Sequence, residues 1–226
     1  MNTADDFQSR LDALKTELNL QADRVLEQAL RAVDCYFNHD LNTRAEIERV
    51  EAEVDRIDVE IEQHSIPLLG MGQTDPYLIR SVLTVVKVNN ELERIADCAV
   101  NIAGASRPDG PAVTDRFMVM ANSVLGMLRD SSRSLAEGNA ELGRRVLGFD
   151  DTVNRFKREI LLDAQRSVAD GSIQVEDGFA MMTVTKSLER IADHCTNVCE
   201  QVIYLETGKI MRHDAEGWGD AFEPES

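Results

Sequence analysis

One six-residue string, Leu-Glu-Arg-Ile-Ala-Asp, occurs at 92–97 and again at 188–193 of a 226-residue chain. The flanks agree as well. NELERIADCAVNIA at 90–103 matches within TKSLERIADHCTNVCE at 185–200, and Asn101 and Asn197 follow at matching offsets. Identity of this length within one short chain points to two copies of one unit.

Both copies read as helix. Leu92, Ile95, Ala99 and Ile102 fall at three- and four-residue steps, as do Leu188, Ile191, Cys195 and Val198, which draws an apolar stripe along one face. Beside it run Glu93, Asp97 and Asn101 in the first copy and Glu189, Asp193 and Asn197 in the second. At about 100° per residue each trio spans roughly 80° of its helix.

The same periodicity extends through the rest of the chain. A first helix is expected over 4–37, with Phe7, Leu11, Leu14, Leu18, Ala22, Val25, Ala29, Ala32 and Tyr36 as its seam. A second runs over 41–64 on Ile47, Val50, Val54, Ile57 and Ile61, with Glu51, Asp55 and Asp58 alongside. Pro67, Gly70 and Gly72 mark 65–75 as a loop, and Pro76 suits the first turn of a third helix ending at Gly104. ASRPDGP at 105–111 cannot continue a helix and separates the copies.

Thr114 then reads as the cap of a fourth helix carrying Phe117, Ala121, Val124, Leu128 and Leu135, and Gly138 as its stop. A fifth is expected over 140–169 on Leu142, Val146, Phe149, Val153, Phe156 and Ile160. A sixth covers 173–207, where Gly178 predicts a fray or bend. The expected architecture is all-α: two tandem three-helix bundles in pseudo-twofold relation. Repeat one is 1–104, the linker 105–113, repeat two 114–211, and 212–226 an acidic disordered tail.

The charge balance excludes some functions. Asp and Glu outnumber Lys and Arg by 41 to 24, a net charge of −17, and no basic patch serves a nucleic-acid backbone. No run approaches the ~20 apolar residues of a membrane span, and the acidic N-terminus lacks a secretion signal. A cytoplasmic protein is expected, reaching membranes only through partners. Cys35, Cys98, Cys195 and Cys199 form no CxxC pair; Cys195 and Cys199 read as small core residues, and His194 as a packing or surface histidine. No nucleophile–base pair or phosphate-binding glycine loop is visible, so no enzymatic activity is expected.

Carboxylates four residues apart on adjacent helices suit hard or borderline cations. In repeat one the donors are Glu51, Asp55, Glu93 and Asp97; in repeat two they are Asp150, Glu189 and Asp193, with Asn101 and Asn197 adding amide oxygens or orienting the acids. The alternative is a solvated acidic face. Recurrence in register, beside a seam that a neighbouring helix must cover, favours cations. Repeat two departs from repeat one: Asn154 stands in the register of Asp55, and Lys157 in that of Asp58. A carboxylate-bridged di-metal oxidase would require Glu-x-x-His pairs, which this sequence lacks. A metal-binding helical scaffold with no signalling role is the other reading.

The doubled ERIAD…N motif, VEAEVDRID at 50–58, FDDTVNRF at 149–156 and SLERIADHCTNVCEQVIYLETGK at 187–209 resemble the PhoU family of phosphate-signalling proteins. The resemblance implies two three-helix bundles with E/D-x-x-x-D motifs that bind metal clusters in some members, matched here by Glu51/Asp55, Glu93/Asp97 and Glu189/Asp193. Divalent or trivalent ions are implied: iron, manganese, zinc or magnesium. It further implies a negative regulator of the phosphate-starvation response and of phosphate uptake. Such a protein links the ATPase subunit of a phosphate ABC transporter to a sensor histidine kinase, and a homodimer is compatible with it.

Overall fold

A computed structural model describes residues 3–214 and 217–220. Among the described residues seven helices carry the architecture: α1 (Thr3–Phe37), α2 (Arg44–Gly70), α3 (Pro76–Gly104), α4 (Asp115–Glu137), α5 (Ala140–Leu147), α6 (Asp150–Ala169) and α7 (Val175–Thr207). A 3-10 turn, Leu41–Thr43, precedes α2, and a short antiparallel pair, β1 (Met211–Asp214) and β2 (Gly217–Asp220), follows α7.

The α1 seam is buried at every expected position from Phe7 to Tyr36. Two polar residues share it. Gln21 Nε2 donates to the Val54 carbonyl at 2.8 Å and Gln28 Nε2 to the Ile47 carbonyl at 3.0 Å, so buried amides fix the register of α1 on α2. On α2, Ile47, Val54, Ile57 and Ile61 are buried and Val50 only partly so.

α2 does not stop before Ser65 but runs through Pro67 to Gly70. Proline removes one backbone hydrogen bond. Burial of Leu68 and the bond from Ser65 Oγ to the Ile61 carbonyl hold the last turns in its place. Asp75 then caps α3, its Oδ1 accepting from the amides of Tyr77 and Leu78. At the far end of α3, Arg44 seals the open carbonyls, donating to those of Ala103, Gly104 and Ser106 at 2.9–3.2 Å.

Repeat two follows the same plan with one break. Thr114 Oγ1 caps α4, and Gly138, at φ 60°, ends it in the left-handed conformation. The helix expected over 140–169 divides at Gly148–Phe149 into α5 and α6. Gly143 shows why: a Cβ there would lie 3.2 Å from Ser134 Oγ and 3.4 Å from Ile203 Cγ1. α5 thus lies against α4 and α7, and α6 must turn to bury Val153, Ile160 and Ala164. Phe149, expected in the seam, sits at the turn and is half exposed. Gly178 marks neither fray nor bend; it is buried inside α7, where a Cβ would meet Val168 Cγ2 at 2.5 Å. Its role is the close approach of α6 to α7.

Across the repeats α3 packs on α7 and α1 on α4. Equivalent helices meet in both contacts, the arrangement of two units about a pseudo-twofold axis, and one apolar core runs through both. Within the stretch 212–226, expected as a disordered tail, residues 212–214 pair with 217–219 in the antiparallel β1–β2 ladder. Composition counts apolar side chains and does not register a hairpin held by backbone hydrogen bonds. Residues 215–216 and 221–226 of that stretch lie outside the described residues.

Candidate functional site

α2 and α3 pack side by side, so their acidic stripes face one another. Burial raises the Glu51 carboxyl above its ordinary value, and Asp55, Asp97 and Glu48 raise it further. Glu93 is raised by burial, then by Asp97, Asp55 and Asp58, with Arg94 opposing. Asp58 rises through burial, Glu62 and Asp55. Each carboxylate thus feels acids from its own helix, and Glu51 and Glu93 feel those of the other helix too.

Asn89, one turn before Glu93, is buried and donates Nδ2 to Asp58 Oδ1 at 2.7 Å; its own Oδ1 has no partner. Among the described residues no basic side chain makes an ion pair with Glu51, Asp55, Asp58, Glu93 or Asp97. Asp55, Asp97 and Asn101 are exposed, which leaves the stripe open along one edge.

Repeat two is built differently on the same frame. Lys157 Nζ, from α6, lies 2.5 Å from Glu189 Oε1 on α7, with both side chains largely covered. Asn154 Nδ2 donates to Asp150 Oδ2 at 3.1 Å. The Asp193 carboxyl is raised to about 6 by burial and then by Glu189 and Asp150, against the pull of His194 and Lys157.

Asn197 turns away from this stripe. Its Nδ2 donates to Glu91 Oε2 on α3 at 2.9 Å, and His194 Nδ1 lies 2.7 Å from the same oxygen. Burial pushes Glu91 up, but these two bonds together with the charges of His194 and Arg94 outweigh it and leave the carboxyl below its ordinary value. This contact crosses the repeat interface, and sequence reasoning missed Glu91. The available signal was a difference between the copies: Ser187 holds the register of Glu91, and Cys98 that of His194.

Among the described residues no three His, Cys, Asp or Glu side chains are gathered closely enough to hold a metal ion. The stripes bring the expected donors onto facing helices without closing them on one point. Their chemistry still separates the two sites. Repeat one offers only oxygen donors and, among the described residues, no ion-paired basic side chain, which suits a hard cation; repeat two already holds an ammonium. Burial pushes the Cys98 thiol up to about 11 and Cys195 to about 12, so neither supplies a thiolate ligand near neutral pH.

A family profile described as "PhoU domain" matches residues 18–105 and 117–202, one match on each side of the linker. The chain is 31% identical over 210 residues to the "Phosphate-specific transport system accessory protein PhoU homolog" of Clostridium acetobutylicum, covering 90% of this chain and 95% of that one. It is 30% identical over 144 residues to homolog 1 of the same description from Thermotoga maritima, an alignment spanning 62% of either chain. The fold matches the crystal structure of PhoU from Pseudomonas aeruginosa with a TM-score of 0.86 at 22% identity, over 89% of this chain and 99% of that one.

Proposed function

The chain belongs to the PhoU family, and from that membership we propose that it is a negative regulator of the phosphate-starvation response and of phosphate uptake. On this reading it is a cytosolic adaptor between the ATPase subunit of a phosphate ABC transporter and a sensor histidine kinase. The supporting observation is the two-domain match to relatives named as accessory proteins of a phosphate-specific transport system. No helix among the described residues is long and apolar enough to cross a membrane, and the role as proposed meets the membrane through its partners. The net charge of −17 suits docking on basic protein surfaces.

The proposal includes a cation on repeat one. Glu51, Asp55, Glu93 and Asp97 would hold it, and Asp58 stands on the same face with Asn89 bonded to it. A bound divalent or trivalent ion would cancel the mutual repulsion that adds to burial in raising Glu51 and Glu93 and tie α2 to α3. The chain's own part is to present oxygen donors from two helices whose spacing the buried core fixes.

The test is deletion of the gene followed by alkaline phosphatase output in phosphate-rich medium. Output that rises to the starved level supports a negative regulator; output that stays repressed overturns the reading. Retention of the transporter's ATPase subunit on the tagged full-length chain tests the adaptor role separately.

A further inference from the structure

We infer that Lys157 occupies the cation position of the second acidic stripe, so that repeat two takes no metal. The inference rests on the reading that the repeat-one stripe binds a cation, and it concerns the site at which the donor set does not fit one.

Three observations carry it. Lys157 stands three residues after Asn154, as Asp58 stands three after Asp55, so the ammonium replaces a carboxylate at an equivalent register. The ammonium is seated: Nζ is 2.5 Å from Glu189 Oε1, and the two side chains keep 29% and 19% of their exposure. Asn154 replaces the second carboxylate of the α6 motif, and its amide donates to Asp150 rather than offering a negative donor. Repeat one therefore presents five carboxylates, Glu51, Asp55, Asp58, Glu93 and Asp97, with no ion-paired basic side chain among the described residues. Repeat two presents three, Asp150, Glu189 and Asp193, with one cation covalently attached.

A tethered ammonium has two advantages over an ion in solution. Its concentration at the site does not fall on dilution, and it leaves only by a side-chain rotation that exposes Glu189 to its acidic neighbours. A metal entering here must displace Lys157 into solvent and then lie beside a positive charge, and it gains fewer anionic donors than repeat one offers.

The experiment uses the full chain stripped with chelator and Mn²⁺ as the probe, read by equilibrium dialysis and by the shift in melting temperature. In an E93Q/D97N background, which silences repeat one, no Mn²⁺ is retained and melting is unchanged by it. Adding K157D to that background gives retention of about one Mn²⁺ per chain, lost again on E189Q. Should K157D fail to fold, K157M serves: its melting temperature falls below that of the background and is restored by Mn²⁺. Two results overturn the inference: Mn²⁺ retained by E93Q/D97N and lost on adding E189Q/D193N, or neither Lys157 variant gaining any response to Mn²⁺. Failure of the wild-type chain to bind Mn²⁺ is a separate outcome. It refutes the repeat-one reading, while the Lys157 variants still decide this one.

Discussion

The Asp193 carboxyl is under load, and the substitution D193N should relieve it. Burial, Glu189 and Asp150 raise it from an ordinary 3.8 to about 6. None of the causes of that shift is a hydrogen bond, so the amide removes charge without removing a partner. At ~1.4 kcal/mol per pKa unit the shift corresponds to a ceiling of about 3 kcal/mol. Because the side chain is only half covered, solvent screening reduces this to roughly 1 kcal/mol.

The sign follows from linkage. A carboxyl raised in the folded state costs nothing below its unfolded value of 3.8, where it is neutral in both states. The cost grows as pH rises and is complete above about 6. For a chain of this size ~1 kcal/mol moves melting by about 2–4 °C. Thermal melts followed by circular dichroism, with chelator present, should therefore show D193N about 2–4 °C above the wild type near neutral pH. The gain should shrink towards zero as pH approaches 3.8. A variant that melts at or below the wild type near neutral pH, or gains equally in acid, refutes the electrostatic reading of this stripe.

Other residues give independent checks. G178A places a Cβ 2.5 Å from Val168 Cγ2; urea unfolding should show a loss of about 1–3 kcal/mol, largely recovered by V168A. E91A strands His194 Nδ1 and Asn197 Nδ2 at the repeat interface, and should cost about 1–3 kcal/mol near neutral pH. Because Glu91 is held below its ordinary 4.5, the stability it adds is present above that value and lost as pH falls through the folded one. The gap between E91Q and wild type in urea melts should accordingly close in acid. R44A removes the donors that seal the carbonyls of Ala103, Gly104 and Ser106, and cleavage before Asp109 by an Asp-directed protease should quicken.

Local rules made much of the fold legible. The α1 seam, the Pro76 and Thr114 starts and the Gly138 stop depend on side-chain period, capping and backbone preference, all of which act within a few residues. The departures arise where a distant surface decides. Pro67 stays helical because Leu68 has a core to enter. The 140–169 pattern breaks because Gly143 lets α5 press on α7, which no local period encodes. The acidic stripes were readable because duplication printed them twice. That Lys157 replaces Asp58 was also readable, but its seat on Glu189, 32 positions away, was not. The Glu91–His194 contact joins residues 103 apart, and no motif or period links them.

The pseudo-twofold packing of α3 on α7 makes the molecule a dimer written into one polypeptide. Two identical subunits in that arrangement would have to carry the same acids on both faces, and any contact such as Glu91 with His194 would appear twice. A single chain escapes that requirement. One half can keep an open carboxylate face while the other carries its own lysine, and the interface need be polar on one side only. The two kinds of half are always present in equal number, and dilution cannot part them.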